Sequence, residues 1–244
     1  EIGVRLVGSE MCIRDRYIFS DSYILYAQAT GGRQANDFRR LEMVSPYGQS
    51  NTQLDATYEQ LNAALGFKTS PVTGLWFNIY GGYQDLKNNL ASAAIANYSG
   101  SYLQLLQGNM HNIYAGAEAS YSYKDIISFT ASGIYRDWKT AKTENNSGDQ
   151  LLYYMPSFEA NFKVDIRPIS SVLINLGYQH ITREKIGNER VDPVGNLYLG
   201  GSYEVFEGIS IYVRANNLLN KDYQYYPGYP TEGINFMGGV SFRF

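Results

Sequence analysis

The chain has 244 residues, a formal net charge of -3 and an isoelectric point near 5.5, which excludes a basic nucleic-acid-binding surface. No apolar run approaches the roughly 20 residues of a membrane helix. Tyrosine is abundant, with 23 residues beside 11 Phe and 2 Trp, and its apolar body and wet tip suit a membrane interface or a ligand-binding wall.

The first sixteen residues stand apart. Arg5 to Arg16 resembles translated sequencing-adapter read-through. It shows no alternation that continues into Tyr17, and the start lacks the basic-then-apolar order of a signal peptide. Residues 1–16 are expected to be a non-native leader, and 17–244 the native chain. The natural protein is then expected to continue upstream. The single cysteine, Cys12, lies in the leader, so no disulfide or thiol chemistry is expected.

Tyr17 to about Ala29 reads as a strand rich in Tyr, Ile and Leu. Thr30–Thr52 is polar and without period, and reads as a long loop. From Leu54 to Thr69, Leu61, Ala63, Leu65 and Phe67 alternate with Asn62, Ala64, Gly66 and Lys68. Ser70–Gly74 is a Pro/Gly turn. Leu75, Phe77, Ile79, Gly81 and Tyr83 form the next apolar face. Asp85–Met110 reads as a second long connection, with a short helix over Leu90–Ala96.

Ile113 to Tyr123 is the cleanest alternating stretch, and Lys124-Asp125 a hairpin turn. Ile127–Arg136 returns beside it, and a polar loop spans Asp137–Gln150. The same order recurs: strands at Phe158–Arg167, Val172–Gln179, Asn196–Phe206 and Ile209–Asn216, with Pro168–Ser171 and Glu207-Gly208 as short turns. Glu184–Pro193 and Leu218–Gly233 are the long connections. The last strand, Asn235–Phe244, sets Phe236, Val240, Phe242 and Phe244 against Asn235, Ser241 and Arg243.

About ten strands result, each long enough to cross a bilayer at a tilt, where roughly 9–11 residues suffice. Connections alternate long and short throughout, the rhythm of a transmembrane β-barrel with long extracellular loops and short periplasmic turns. Strand charges fall on the polar face: Glu118, Arg136, Glu159, Lys163, Asp165, Glu204, Arg214 and Arg243. Phe67, Tyr121, Tyr123, Phe206 and Phe242 lie near the short turns; Tyr83, Tyr135 and Tyr178 lie toward the long loops. Two such bands match membrane girdles. The expected fold class is therefore an all-β, antiparallel transmembrane β-barrel in the outer membrane, with lipid against its apolar face. A Tyr-rich soluble sandwich would show the same alternation with the apolar face buried.

Asn216-Asn217-Leu218-Leu219-Asn220-Lys221-Asp222-Tyr223, followed by Pro227-Gly228-Tyr229-Pro230 and a terminal strand ending in Phe, resembles the C-terminus of TonB-dependent outer-membrane receptors. The resemblance implies a barrel of about 22 strands with a plugged lumen, of which this chain supplies about ten. It implies a missing N-terminal plug and first barrel half, and import of a siderophore, cobalamin, haem or glycan with energy from the TonB complex, reached through the missing part. It also implies that Phe236, Val240, Phe242 and Phe244 form the signal read by the barrel-assembly machinery. No cofactor is expected.

The candidate ligand-binding residues are polar-face groups toward the long loops: Tyr80, Gln84, Asn112, Tyr114, Arg136, Arg183, Tyr198 and Arg214, with Gln179 and Asn196 beside them. Such a wall stacks on sugars or holds an anionic metal chelate. The rival class is a self-contained ten-strand barrel, porin-like or a hydrolase. Its only possible bases are His111 and His180, and two histidines are too few for a catalytic zinc. Both read as interfacial residues, so no enzyme is expected.

Overall fold

The computed structural model describes residues 3–7, 10–20, 22–47, 54–97, 100–140, 151–184, 191–226 and 228–243. Their backbone forms a twelve-stranded sheet in which every neighbouring pair is antiparallel. The strands pair in chain order: β1 (Gly3–Val7), β2 (Glu10–Ser20), β3 (Tyr23–Gln34), β4 (Thr57–Val72), β5 (Leu75–Asn97) and β6 (Gly100–Tyr123). Then come β7 (Ile127–Thr140), β8 (Pro156–Ile169), β9 (Val172–Arg183), β10 (Val194–Phe206) and β11 (Ile209–Asn216). The next two strands, β12 (Gln224–Tyr226) and β13 (Tyr229–Pro230), form a separate small hairpin. The main sheet ends with β14 (Asn235–Phe242), which pairs with β11.

Short turns join β4 to β5, β6 to β7, β8 to β9 and β10 to β11 at one end of the sheet. Their backbones are built for reversal. Gly74 and Gly208 take φ of +83° and +82°, and Lys124 and Asp125 both lie at positive φ, as the primed hairpin turns demand. Long connections cluster at the other end.

The exposed face decides between sandwich and membrane barrel. Leu65 is 66% exposed, Ile113 62% and Val213 58%. A soluble sandwich would bury this face; here it is an apolar wall around the sheet, and burying it in lipid satisfies it. Ile113 to Tyr123 on β6 marks its height. At roughly 3.4 Å per residue and a tilt of 35–45°, that stretch rises about 25 Å, the apolar thickness of an outer-membrane barrel. No described helix is long and apolar enough to cross a membrane; the strands do so.

Several sequence expectations change. Tyr17–Ala29 is two strands, with the chain reversing at Ser22 between β2 and β3. Residues 3–7 and 10–16 also pair onto the sheet, because a ladder is made by backbone groups whatever the side chains. The expected loop Thr30–Thr52 begins as the end of β3 and holds helix α1 (Phe38–Val44). Asp37 caps that helix, accepting from the Arg40 backbone N–H at 3.0 Å.

The largest correction concerns Asp85–Met110. It is no loop, and Leu90–Ala96 is no helix: β5 and β6 stay paired, across one bulge, to Asn97↔Gly100. Alanine's helix preference is a weak prior, and here the cross-strand ladder overrides it. The ladder is interrupted between Leu86 and Asn89, where Asn88 has φ +53°. Beyond that bulge Leu86, Ala91, Met110 and Trp138 pack with Leu151 from the β7–β8 connection. Gly108 makes room, since any Cβ there would overlap Leu151. The Trp138 indole N–H donates to the Pro156 carbonyl at 3.0 Å. This core lies beyond the apolar band, on the long-loop side.

Candidate functional site

The polar face is built on a repeated pairing of tyrosine with glycine across neighbouring strands. Tyr26 lies over Gly66, Tyr80 over Gly116, Tyr114 over Gly82, Tyr198 over Gly177 and Tyr212 over Gly239. Each pair sits directly opposite in the ladder. A Cβ on any of these glycines would come within 3.0 Å of the tyrosine's ring or hydroxyl, closer than atoms can pack. The glycines therefore let the rings lie flat along the wall, and the hydroxyls reach a strand further. Tyr26 donates to Asn78 at 3.1 Å and Tyr114 to Asn62 at 2.7 Å.

Four of the expected residues come together through this arrangement. Gln84 and Asn112 are ladder partners, as are Tyr80 with Gly116 and Tyr114 with Gly82. The Asn112 amide donates to Gln84 at 2.9 Å, and the Gln84 amide donates to Glu59 at 2.6 Å. Asn62 donates to the same Glu59 oxygen at 3.1 Å, and the Thr30 hydroxyl to the other at 3.4 Å. Glu59 is thus the centre of the network, and sequence alternation misses it. Read by period two, Glu59 falls with Leu61 and Ala63 on the apolar face. A bulge between Glu59 and Leu61 shifts the count by one, placing Glu59 opposite Leu86 on the polar face.

The other expected residues lie apart from this cluster. Arg136 stands opposite Tyr114 in the ladder but is ion-paired with Glu159. Arg183 turns toward the long-loop end: its guanidinium lies 4.8 Å from the Tyr154 ring centroid and donates to the Tyr225 carbonyl at 3.2 Å. Tyr225 donates back to Gln179 at 2.8 Å. Tyr198 and Arg214 pair with each other, the guanidinium 4.3 Å from the ring centroid, and Arg214 also donates to Asn216 at 2.8 Å.

The loop holding the Asn-rich motif is tied by Asn217, which is buried and has φ +51°. Its amide donates to the carbonyls of Lys221 and Glu232, both at 3.0 Å, and its oxygen accepts from the Lys221 backbone at 3.1 Å. Its own backbone N–H donates to Asn196 at 2.9 Å. Asn220 accepts from the Ile234 backbone at 3.3 Å. These bonds hold a tyrosine group that sequence reading left as loop: Tyr223, Tyr225, Tyr226 and Tyr229. Its signal was the density of Tyr within Tyr223–Tyr229. Burial, and next the neighbouring Tyr225, push the Tyr223 hydroxyl up to about 12. Burial and Tyr153 push Tyr154 up to about 12. Both remain neutral donors near pH 7.

The two histidines lie among aromatic rings. The His111 ring lies 6.0 Å from that of Tyr83, and His180 lies 6.3 Å from both Phe158 and Tyr178. All belong to the outward register at the long-loop end of the apolar band. Among the described residues no group of three His, Cys, Asp or Glu is placed to hold a metal. Phe236, Val240 and Phe242 project from β14 on the apolar face and are exposed; Phe244 lies outside the described residues.

Neither a protein-family model nor a curated protein sequence matches the chain. Solved structures do. The copper transporter OprC superposes with a TM-score of 0.67 at 17% identity, over 96% of this chain and 39% of its own. The siderophore receptor PirA of Acinetobacter baumannii gives 0.66 at 12%, over 96% and 41%. The ferric enterobactin receptor PfeA of Pseudomonas aeruginosa, as a G324V mutant, gives 0.63 at 17%, over 96% and 40%. The fold is that of the TonB-dependent outer-membrane receptor barrel. The chain spans about two-fifths of the length of these receptors. In this barrel the tyrosine-lined polar face is the lumen wall, the apolar face meets lipid, and the short turns are periplasmic. The upper wall offers stacking surfaces and amides.

Proposed function

We propose that this chain is the C-terminal part of the barrel of a TonB-dependent receptor that binds a scarce small molecule or glycan outside the cell and imports it across the outer membrane. The supporting observation is the superposition of 96% of the chain on transport receptors of which it covers about two-fifths. The motif Asn216–Tyr223 agrees, since it builds the loop beside the upper lumen wall. On this reading a plug domain and further strands complete the receptor, TonB reaches it through those parts, and the face of Phe236, Val240 and Phe242, with Phe244, guides barrel assembly. Residues 1–16 remain outside the proposal as a foreign leader, which re-sequencing of the source gene tests.

Within the wall, Tyr80, Gln84 and Tyr114 form a polar patch for ligand, with the buried Asn112 holding Gln84 in place, and Arg136, Arg183, Tyr198 and Arg214 are further candidate contacts apart from it. Import is tested by deleting the gene for the whole receptor in its host. Uptake of one nutrient should fall to the level of diffusion and return with the intact gene, but not when the TonB partner is removed. Unchanged uptake of every iron chelate, cobalamin, haem and glycan tested would overturn the reading.

A further inference from the structure

The upper lumen holds a cavity of about 400 Å³, within the range of small-molecule sites, about 300–1,000 Å³. Three separate parts of the chain build it: Tyr47, which follows α1; the loop carrying Tyr223 to Glu232; and the upper ends of β10, β11 and β14. Tyr47 stacks on Tyr229 with ring centroids 3.7 Å apart and planes within 7°, and meets Tyr226 edge-on at 6.0 Å. The floor is amide: Asn196, Asn216 and Asn235. Asn216 donates to Asn235 at 3.0 Å, and Asn235 donates to the Gly233 carbonyl at 3.2 Å. An amide has two donor hydrogens and two acceptor lone pairs, so Asn235 keeps one of each beyond these bonds.

The charge of the cavity is as informative as its shape. Among the described residues its one charged lining residue is Glu232. The adjoining cavity of about 240 Å³ carries Asp192 and Asp222 and, among the described residues, no lysine or arginine. Arg183 is bonded to the lining residue Tyr225 and lies on the Tyr154 ring, Arg214 is bonded to Asn216 and lies on the Tyr198 ring, and Arg136 is ion-paired with Glu159. An anionic chelate would meet Glu232, Asp192 and Asp222, none of which is ion-paired among the described residues. A neutral ring bearing many hydroxyls would lay its C–H face on tyrosine and exchange hydrogen bonds with the asparagines and Glu232.

We propose that this cavity is a subsite for a neutral saccharide, so that the receptor's substrate class is a glycan. The inference rests on the import reading above and narrows it. The test uses the full-length receptor purified from outer membranes in detergent. Binding is measured by calorimetry against neutral oligosaccharides (α- and β-glucans, mannans, xylans, fructans) and, in parallel, ferric citrate, a ferric catecholate, cobalamin and haem.

One neutral oligosaccharide should bind. Tyr229→Ala and Tyr47→Ala should each weaken it about tenfold, whereas Tyr229→Phe, which keeps the ring face, should bind within about twofold of the parent. Heat-dependent gel mobility of each variant reports whether the barrel is intact; if the alanine variants lose it, the test is carried by Tyr229→Phe and by Glu232→Gln, which keeps the side-chain shape but gives up a charged acceptor and should weaken the saccharide about threefold with barrel mobility unchanged. Binding of a metal chelate, cobalamin or haem that depends on Tyr229, or silence of every neutral saccharide, overturns the glycan assignment. In either case import is judged separately, by uptake in the deletion strain.

Discussion

The Gln84 amide donates to the Glu59 carboxylate across the β4–β5 ladder at 2.6 Å. That bond connects Asn112, behind Gln84, with Asn62 and Thr30, which donate to the same carboxylate. Glu59→Gln should lower barrel stability by up to about 1.5–3 kcal/mol, the range for a hydrogen bond to a charged group, less the solvent screening of a half-exposed side chain. Glu59→Leu should cost more, because it leaves three donors facing an apolar group. The melting temperature of the refolded receptor checks both. Two unchanged values would show that the network adds nothing to stability.

The tyrosine–glycine pairs make a different prediction. Gly116→Leu would drive the Tyr80 ring off the wall and into the lumen. Overpacking of this kind costs about 1–3 kcal/mol. Tyr80→Ala should relieve the clash, so the double variant should be more stable than Gly116→Leu alone. Additive losses in the double-variant cycle would disprove the contact.

Much of the fold was legible because alternation and turn chemistry are local. Lys124-Asp125 announced a hairpin, and Ile113–Tyr123 its apolar face. What escaped was set by register. The bulge between Glu59 and Leu61 reverses the face of Glu59, and no period in the residues around it shows that shift. The ribbon of β5 and β6 escaped because an alanine-rich stretch carries no strand preference until a partner strand lies beside it. Of the wall residues, Tyr80, Gln84, Asn112 and Tyr114 were readable as one face. That Arg183 turns away to Tyr154 depends on a loop far off in sequence.

The lipid-facing assignment is testable at single positions. Ile79 is 56% exposed and pairs with Ala117, near the middle of the Ile113–Tyr123 band. Ile79→Arg should cost about 2–4 kcal/mol near the bilayer midplane. Asn78→Arg, one residue away on the lumen face, should cost far less. Folding titrations into lipid vesicles measure the two; equal costs would refute the facing of β5.

Asn217 should be the most sensitive residue of the motif loop. Asn217→Ala removes three side-chain hydrogen bonds and puts alanine at a φ of +51°. Orphaned backbone groups cost about 1–3 kcal/mol each where water cannot reach them. Asn217→Gly relaxes the backbone without restoring the bonds, so it should recover only part of the loss. Protease cleavage between residues 218 and 234, followed by mass spectrometry, should rise in the order parent, glycine, alanine. Equal cleavage of all three would remove the clasp from the account of this loop.

Glu184 gives a pH prediction. It follows β9 on the extracellular side, and burial raises its carboxyl above the ordinary value of 4.5, opposed by a hydrogen bond from the Trp138 backbone. Just above pH 4.5 the folded receptor therefore holds a proton that the unfolded chain has released. Stability from this group is fully present below the unfolded value and declines as pH rises through the folded one. Glu184→Gln removes the ionisation, so the variant should gain stability relative to the parent as pH rises from about 4 to 7. The difference between the two melting temperatures across that range isolates the group from all other carboxylates. A difference that is flat, or that shrinks as pH rises, would show that burial does not disfavour the Glu184 charge.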